Sequence, residues 1–179
     1  MGALVLAKVS GSAVRRLGVG ALVAVLAVAL VALLAPSAEA VLVPQKSIMG
    51  VKLGQTRQQV IDRLGEPDKT VKKSHPLGGS YFELRYGRTS FLAWRDVEGA
   101  LGTVFAMVTK SAKERTEDNV GVGSSEKKLR DRVKGVSCET ESRRRFCMIG
   151  ALRPGKVVTT FWLNSERRIY RIQISYVID

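Results

Sequence analysis

Val51-Lys52-Leu53-Gly54-Gln55-Thr56-Arg57-Gln58-Gln59-Val60-Ile61-Asp62-Arg63-Leu64 recurs, loosely but in phase, as Val120-Gly121-Val122-Gly123-Ser124-Ser125-Glu126-Lys127-Lys128-Leu129-Arg130-Asp131-Arg132-Val133. At this fixed offset Gly54 meets Gly123, Thr56 meets Ser125, Val60 meets Leu129, and Asp62-Arg63 meets Asp131-Arg132. A repeat at constant spacing outranks other sequence signals, because each unit is one piece of supersecondary structure and the fold follows from how the units join. Here it predicts two tandem copies.

Each copy opens with a helix signal. The Thr56 hydroxyl can accept from the free N–H groups of a first helical turn, and Gln59 completes a capping-box pattern. Val60, Ile61 and Leu64 fall on one helical face, and Gly65 with Pro67 ends the segment. In the second copy Ser125 caps, Leu129 and Val133 point inward, and Gly135 closes. Strand signals follow. Tyr81 to Tyr86 alternates, with Phe82, Leu84 and Tyr86 on one face and Tyr81, Glu83 and Arg85 on the other. Gly87-Arg88 turns into Thr89 to Trp94, and residues 97–100 turn into 101–108. The second copy offers Arg145 to Ala151, Val157 to Leu163 and Arg168 to Ile178. In the last of these Tyr170, Ile172, Ile174 and Tyr176 share a face, the period-2 pattern of an antiparallel sheet covered on one side.

This plan gives a short lead-in over 41–46, copy one over 47–109, a polar connector over 110–118 and copy two over 116–179. A copy of about sixty residues makes a marginal core alone, so 47–179 is expected to form one compact unit. The expected fold class is α+β: two tandem helix-plus-meander repeats building a curved antiparallel sheet with helices packed on one face.

The string Gly54-Gln55-Thr56-Arg57-Gln58-Gln59-Val60-Ile61-Asp62-Arg63-Leu64-Gly65-Glu66-Pro67 resembles the G-x-[TS]-x-x-x-V-x-x-x-L-G-x-P signature of the SmpA/OmlA (BamE-like) family. Two tandem copies, one with a cysteine pair after its helix, resemble the β-lactamase-inhibitor-protein (BLIP) arrangement. The resemblance implies the curved sheet just described. It assigns its residues structural roles and carries no ligand-contacting residue over. The chain lacks the lipid-acceptor cysteine of the BamE-like lipoproteins.

Residues 1–40 read as an export signal. Lys8, Arg15 and Arg16 supply the basic start, 17–34 is an unbroken apolar run, and Ala38-Glu39-Ala40 offers a cleavage site that would leave Val41 first. The run is also long enough to serve as an uncleaved membrane anchor. The expected location is secreted or extracytoplasmic. Without 1–40 the chain carries 26 basic and 15 acidic side chains, a net charge near +11 against +13 for all 179 residues. Such a balance bears on partners rather than fold. It favours an anionic wall polymer, lipid headgroups or an acidic protein. Scattered basic residues without interleaved aromatics argue against a nucleic-acid reader.

Cys138 and Cys147 are the only cysteines, and an even pair in an exported chain reads as a disulfide closing a hairpin-like loop. One histidine cannot complete a zinc site, so no metal and no cofactor are expected. His75 lies in Ser74-His75-Pro76-Leu77-Gly78-Gly79, read as a solvated loop. No nucleophile, base and orienting acid come together in sequence, so the chain is expected not to be an enzyme. The constrained loop would display Arg143, Arg144 and Arg145, whose guanidinium forks suit phosphate or carboxylate. Trp94 and Trp162 come from corresponding strands and would line a shared concave face as contact anchors. The expected function is an exported, non-enzymatic protein-interaction module of the cell envelope or extracellular space. The alternatives are a basic binder of wall polymer or membrane surface, and a hydrolase inhibitor of the β-lactamase type by fold analogy.

Overall fold

Eleven strands and two short helices make up the described chain, and eight of the strands form one antiparallel sheet. The computed structural model describes residues 41–76, 78–95 and 102–178. The export signal over 1–40, the anchor alternative over 17–34 and the turn at 97–100 lie outside the described residues. No helix among the described residues is long and apolar enough to cross a membrane.

Strands β1 (Leu42–Val43), β2 (Ser47–Ile48) and β3 (Val51–Lys52) form a small sheet that joins the expected lead-in over 41–46 to the start of copy one. Helix α1 (Arg57–Leu64) is followed by β4 (Lys69–Ser74), β5 (Ser80–Tyr86), β6 (Thr89–Trp94) and β7 (Val104–Thr109). Helix α2 (Glu126–Arg132) is followed by β8 (Ser137–Glu141), β9 (Arg144–Ile149), β10 (Val157–Leu163) and β11 (Ile169–Tyr176). The sheet order is β4-β5-β6-β7-β11-β10-β9-β8. Each helix thus heads a four-stranded meander, and the meanders join where β7 pairs antiparallel with β11.

The caps form as the sequence dictates. Gln59 N–H donates to Thr56 Oγ1 at 3.3 Å while Thr56 N–H donates to Gln59 Oε1 at 2.9 Å, closing the capping box. Ser125 Oγ accepts from Lys128 N–H at 3.2 Å, without the reciprocal bond. The second helix ends at Val133, two residues before Gly135.

The α+β expectation is corrected: the architecture is mostly sheet, not helices packed over a curved sheet. The helices have eight and seven residues. Val60 and Leu129 are the fully buried apolar side chains they add. So little area cannot cover eight strands, and helices this short draw little stability from propensity. The core is filled mainly by strand residues, among them Leu84, Phe91, Met107, Phe161, Ile172 and Ile174, together with Leu42, Ile48 and Val51 of the small sheet. At about 25 cal/mol per Å² of apolar surface, those side chains dominate the stabilisation.

Two strands of the large sheet escaped the sequence pattern, and both are edges. β4 reads Lys-Thr-Val-Lys-Lys-Ser and β8 reads Ser-Cys-Glu-Thr-Glu, mostly exposed along their length. Charge on an edge strand keeps it from templating further chains, and that same charge erases the apolar alternation. The final strand also departs from its expected facing. A bulge between Trp162 and Leu163 of the partner strand breaks the register, so Tyr170 turns outward and Ile169 takes the inner position. The polar stretch over 110–118 is tied back to the large sheet at its start. Thr109 Oγ1 accepts from Thr89 Oγ1 at 2.8 Å and from Ser111 N–H at 3.0 Å, and donates to buried Glu114 at 3.1 Å.

Candidate binding surface

Alternation gives the large sheet two unlike faces. Leu84, Phe91, Met107, Ile174, Thr159 and Ile149 pair in one continuous row on the core face. One residue over, Lys69, Arg85, Ser90, Val108, Gln173, Thr160, Met148 and Ser137 form a row across all eight strands on the outer face.

Two adjoining hollows lie on that outer face, of about 610 and 450 Å³, and share Tyr81, Leu92, Val108 and Arg171. Together they make one groove with dissimilar ends. The basic end carries Lys73, Arg85, Arg88, Lys110 and Arg171 around a single carboxylate, Glu83. Lys110 N–H donates to the Arg88 carbonyl at 3.0 Å, which sets those two residues side by side.

Glu83 is held by three partners. Arg85 grips both its oxygens at 3.0 Å, Lys73 Nζ lies at 2.6 Å, and Ser90 Oγ donates at 3.0 Å. The Arg85 guanidinium, with Lys73 and Ser90, outweighs burial and pulls the carboxyl down to about 2. Glu83 is therefore a fixed anion whose charge is already answered. Among the described residues no carboxylate stands within ion-pair distance of Arg88, Lys110 or Arg171.

The other end of the groove is aromatic. A β-bulge in β7, where Leu92 pairs with Ala106 but Ala93 pairs with Val104, re-aims Phe105 to the outer face. Phe105 stacks on Trp94 with centroids 4.1 Å apart, Tyr81 meets its edge at 5.5 Å, and His75 lies 4.9 Å from Trp94. His75 is thus a half-buried member of an aromatic cluster, not part of a solvated loop. The cluster is anchored by a close backbone approach: a Cβ at position 102 would stand 1.9 Å from the Trp94 carbonyl oxygen, so only glycine fits there.

Trp162 shares the outer face but not the groove's aromatic end. It sits beside Phe146 at 5.3 Å, with Arg171 over its ring at 5.8 Å. Three strand spacings and about six residues of rise separate it from Trp94, roughly 25 Å. The two tryptophans are not brought together. The Trp162 indole N–H and the Arg171 Nε–H are both buried without a hydrogen-bond acceptor.

Cys138 and Cys147 face one another across β8 and β9 and form a disulfide, with an S–S length of 2.06 Å. A disulfide suits an oxidising, extracytoplasmic compartment. The hairpin it closes turns through Ser142 and Arg143 at φ of 47° and 66°, a left-handed pair that glycine usually occupies. Arg143 and Arg144 are exposed at this tip. Arg145 is not displayed with them. Its guanidinium holds buried Glu126 at 2.5 and 3.2 Å, and Arg167 joins at 3.3 Å. Arg145 chiefly, against the opposing effect of burial, lowers the Glu126 carboxyl below its ordinary range.

Glu126, Cys138 and Cys147 bring one ligand atom each within 4.8 Å of one another. Both sulfurs are spent in the disulfide and the carboxylate is spent on two guanidiniums, so this donor set does not suit a cation.

Sequence reading had named Arg143, Arg144, Arg145, Trp94 and Trp162. It missed His75, Phe105, Lys110 and Arg171 as neighbours. Alternation did place Tyr81, Glu83 and Arg85 on one face, the signal nearest to the groove. No protein-family model and no curated protein matches the chain. A solved structure, that of a DUF4309 family protein (YjgB) from Bacillus subtilis subsp. subtilis str. 168, is similar with a TM-score of 0.45 and 12% identity, over 72% of this chain and 84% of that one.

Proposed function

We propose that the chain is an exported, non-enzymatic interaction module of the cell envelope or extracellular space, and that the outer sheet face binds a protein partner. The observation that carries this reading is the groove. Arg88, Lys110 and Arg171 have no carboxylate partner among the described residues, and the aromatic end gives rigid apolar contact area, the mix that dominates protein recognition sites. The non-enzymatic part of the reading is supported by the state of two acids on this face and beside the disulfide. Glu83 and Glu126 are each bound by two cations and stay ionised near neutral pH, so neither is poised to donate or shuttle a proton.

A photo-crosslinking residue at Val108, inside the groove, tests the reading against one at Leu152, an exposed site elsewhere. The expected result is a saturable adduct from Val108 that Arg88→Glu with Lys110→Glu abolishes. Equal adducts from both sites, or none from Val108, would remove it. A second reading, attachment to anionic wall polymer or lipid, draws on the same unanswered cations. It requires binding that falls steeply with salt and ignores the aromatic end.

A further inference from the structure

We propose that the groove takes an extended acidic segment of its partner, four to six residues long, with carboxylates at one end and a large apolar side chain at the other. The inference rests on the outer face being a protein-binding surface, and it adds the chemistry of what is bound.

The two ends set the ligand's pattern. Along β5, Arg85 and Glu83 lie at the basic end and Tyr81, shared by both hollows, leads to the aromatic end. Four residues of strand rise separate Arg85 from Tyr81, about 14 Å. An extended peptide advances about 3.3 Å per residue, so an acidic residue and an aromatic one some four positions apart would span the groove.

The charge count sets the sign. Lys73 and Arg85 are satisfied by Glu83, whereas Arg88, Lys110 and Arg171 line the groove with no carboxylate among the described residues within ion-pair distance. Arg88 and Lys110 are exposed, so they are reachable without rearrangement. Guanidinium forks match carboxylates in two-point geometry.

The floor between the ends favours a peptide over a lipid. Gln173 Nε2 donates to Ser175 Oγ at 3.2 Å, and both residues line the hollow beside Phe105. Gln173 also accepts from Arg171, which leaves its second amide N–H and the Ser175 hydroxyl hydrogen to meet a peptide backbone, donors that an acyl chain could not pair. Both hollows are open troughs along the sheet, which an extended strand of chain can fill.

The probe is a labelled peptide, Glu-Asp-Gly-Ser-Gly-Phe, titrated into the disulfide-bonded chain. Three companions are a Gln-Asn peptide in place of Glu-Asp, an Ala peptide in place of Phe, and phosphatidylglycerol vesicles. Binding of the acidic peptide should weaken roughly tenfold with the Gln-Asn peptide and with Lys110→Glu plus Arg171→Gln. The Ala peptide should bind several-fold less tightly. The chain's two tryptophans give two indole N–H signals. The Trp94 signal should move with the Phe peptide and stay still with the Ala peptide.

Equal affinity for the acidic and Gln-Asn peptides, or an unmoved Trp94 signal at saturation, overturns the proposal. So does vesicle binding that needs Lys110 and Arg171 while the peptide fails to bind. If the Val108 adduct forms but no peptide binds, the acidic-segment inference falls and the protein-binding reading stands. If neither occurs, both fall.

Discussion

The two outer hairpins of the sheet are fastened by different means. At one edge β4 is tied to β5 by Lys73 on Glu83, which Arg85 of β5 also grips, a set of charges that opens onto the groove. At the other edge β8 and β9 are tied covalently by Cys138–Cys147, and the nearby Glu126 clasps Arg145 and Arg167 against the second helix. In the first meander the carboxylate organises a surface that solvent and ligands can reach. In the second it is spent on holding the chain together. Parallel topology therefore does not mean parallel use, and function is expected where fastening leaves cations unanswered.

Acid should separate the two fastenings most sharply. Glu83 has a folded value near 2, below its ordinary 4.5. Its contribution is therefore complete above pH 4.5 and disappears as pH falls towards 2. The shift corresponds to about 2–3 kcal/mol of stability at neutral pH. Glu83→Gln should lower the free energy of urea unfolding at pH 7 by that amount, and the two proteins should converge near pH 2. Hydrogen exchange should show β4 and β5 opening first. If the variant and wild type instead keep a constant difference down to pH 2, the electrostatic account of this edge is wrong.

Reducing the disulfide should cost a similar or slightly smaller amount, about 2 kcal/mol for so short a loop. The loss should be read in the exchange of β8 and β9 amides, with the Glu83 cluster unaffected. Uniform loss across both edges would mean that the edges are not independent.

A smaller gain is expected from the turns. The β5–β6 turn places Gly87 at φ 59°, where glycine is unstrained, but the β8–β9 turn places Arg143 at 66°. Arg143→Gly should raise stability by about 0.5 kcal/mol, since relief of the left-handed strain slightly exceeds glycine's entropy cost. Thermal unfolding of the oxidised protein measures it directly; a lowered melting temperature would mean that the side chain makes contacts worth more than the strain.

The smallest effect concerns the tryptophans. Trp162→Phe removes an indole N–H that already lacks an acceptor, so the change should stay below about 1 kcal/mol. It should leave the Trp94 indole signal in place, because the two rings occupy opposite corners of the outer face.

The parts of this fold that can be read from sequence are those where one residue decides one local outcome. Thr56 and Gln59 announce a capped helix, Gly87 announces a hairpin, and Phe82-x-Leu84-x-Tyr86 announces a half-covered strand. The edge strands could not be read this way, because Lys69 to Ser74 and Ser137 to Glu141 hold one apolar side chain apiece. Bulges defeat alternation in another manner. One extra residue near Phe105 and another near Tyr170 reverse the facing of their neighbours without altering composition. The groove is harder still to foresee, since Lys73, Tyr81, Leu92, Lys110 and Arg171 become neighbours only when five strands align in register. The balance of the architecture was misjudged because two clear helix signals say nothing about how little area two turns of helix cover.

The seam between the meanders imposes an order of events on the chain. Thr109 in β7 pairs with Thr89 on one side, but its other side is met only when Ile172 of the last strand arrives. Until then the first meander carries a bare, largely buried strand along one side, Val-Phe-Ala-Met-Val-Thr, with its amides unpaired. A chain emerging from N to C terminus must therefore keep an adhesive edge from self-pairing from the completion of β7 until β11 arrives. Truncation just before β11 would leave that edge permanently open, producing aggregation rather than a stable half-molecule.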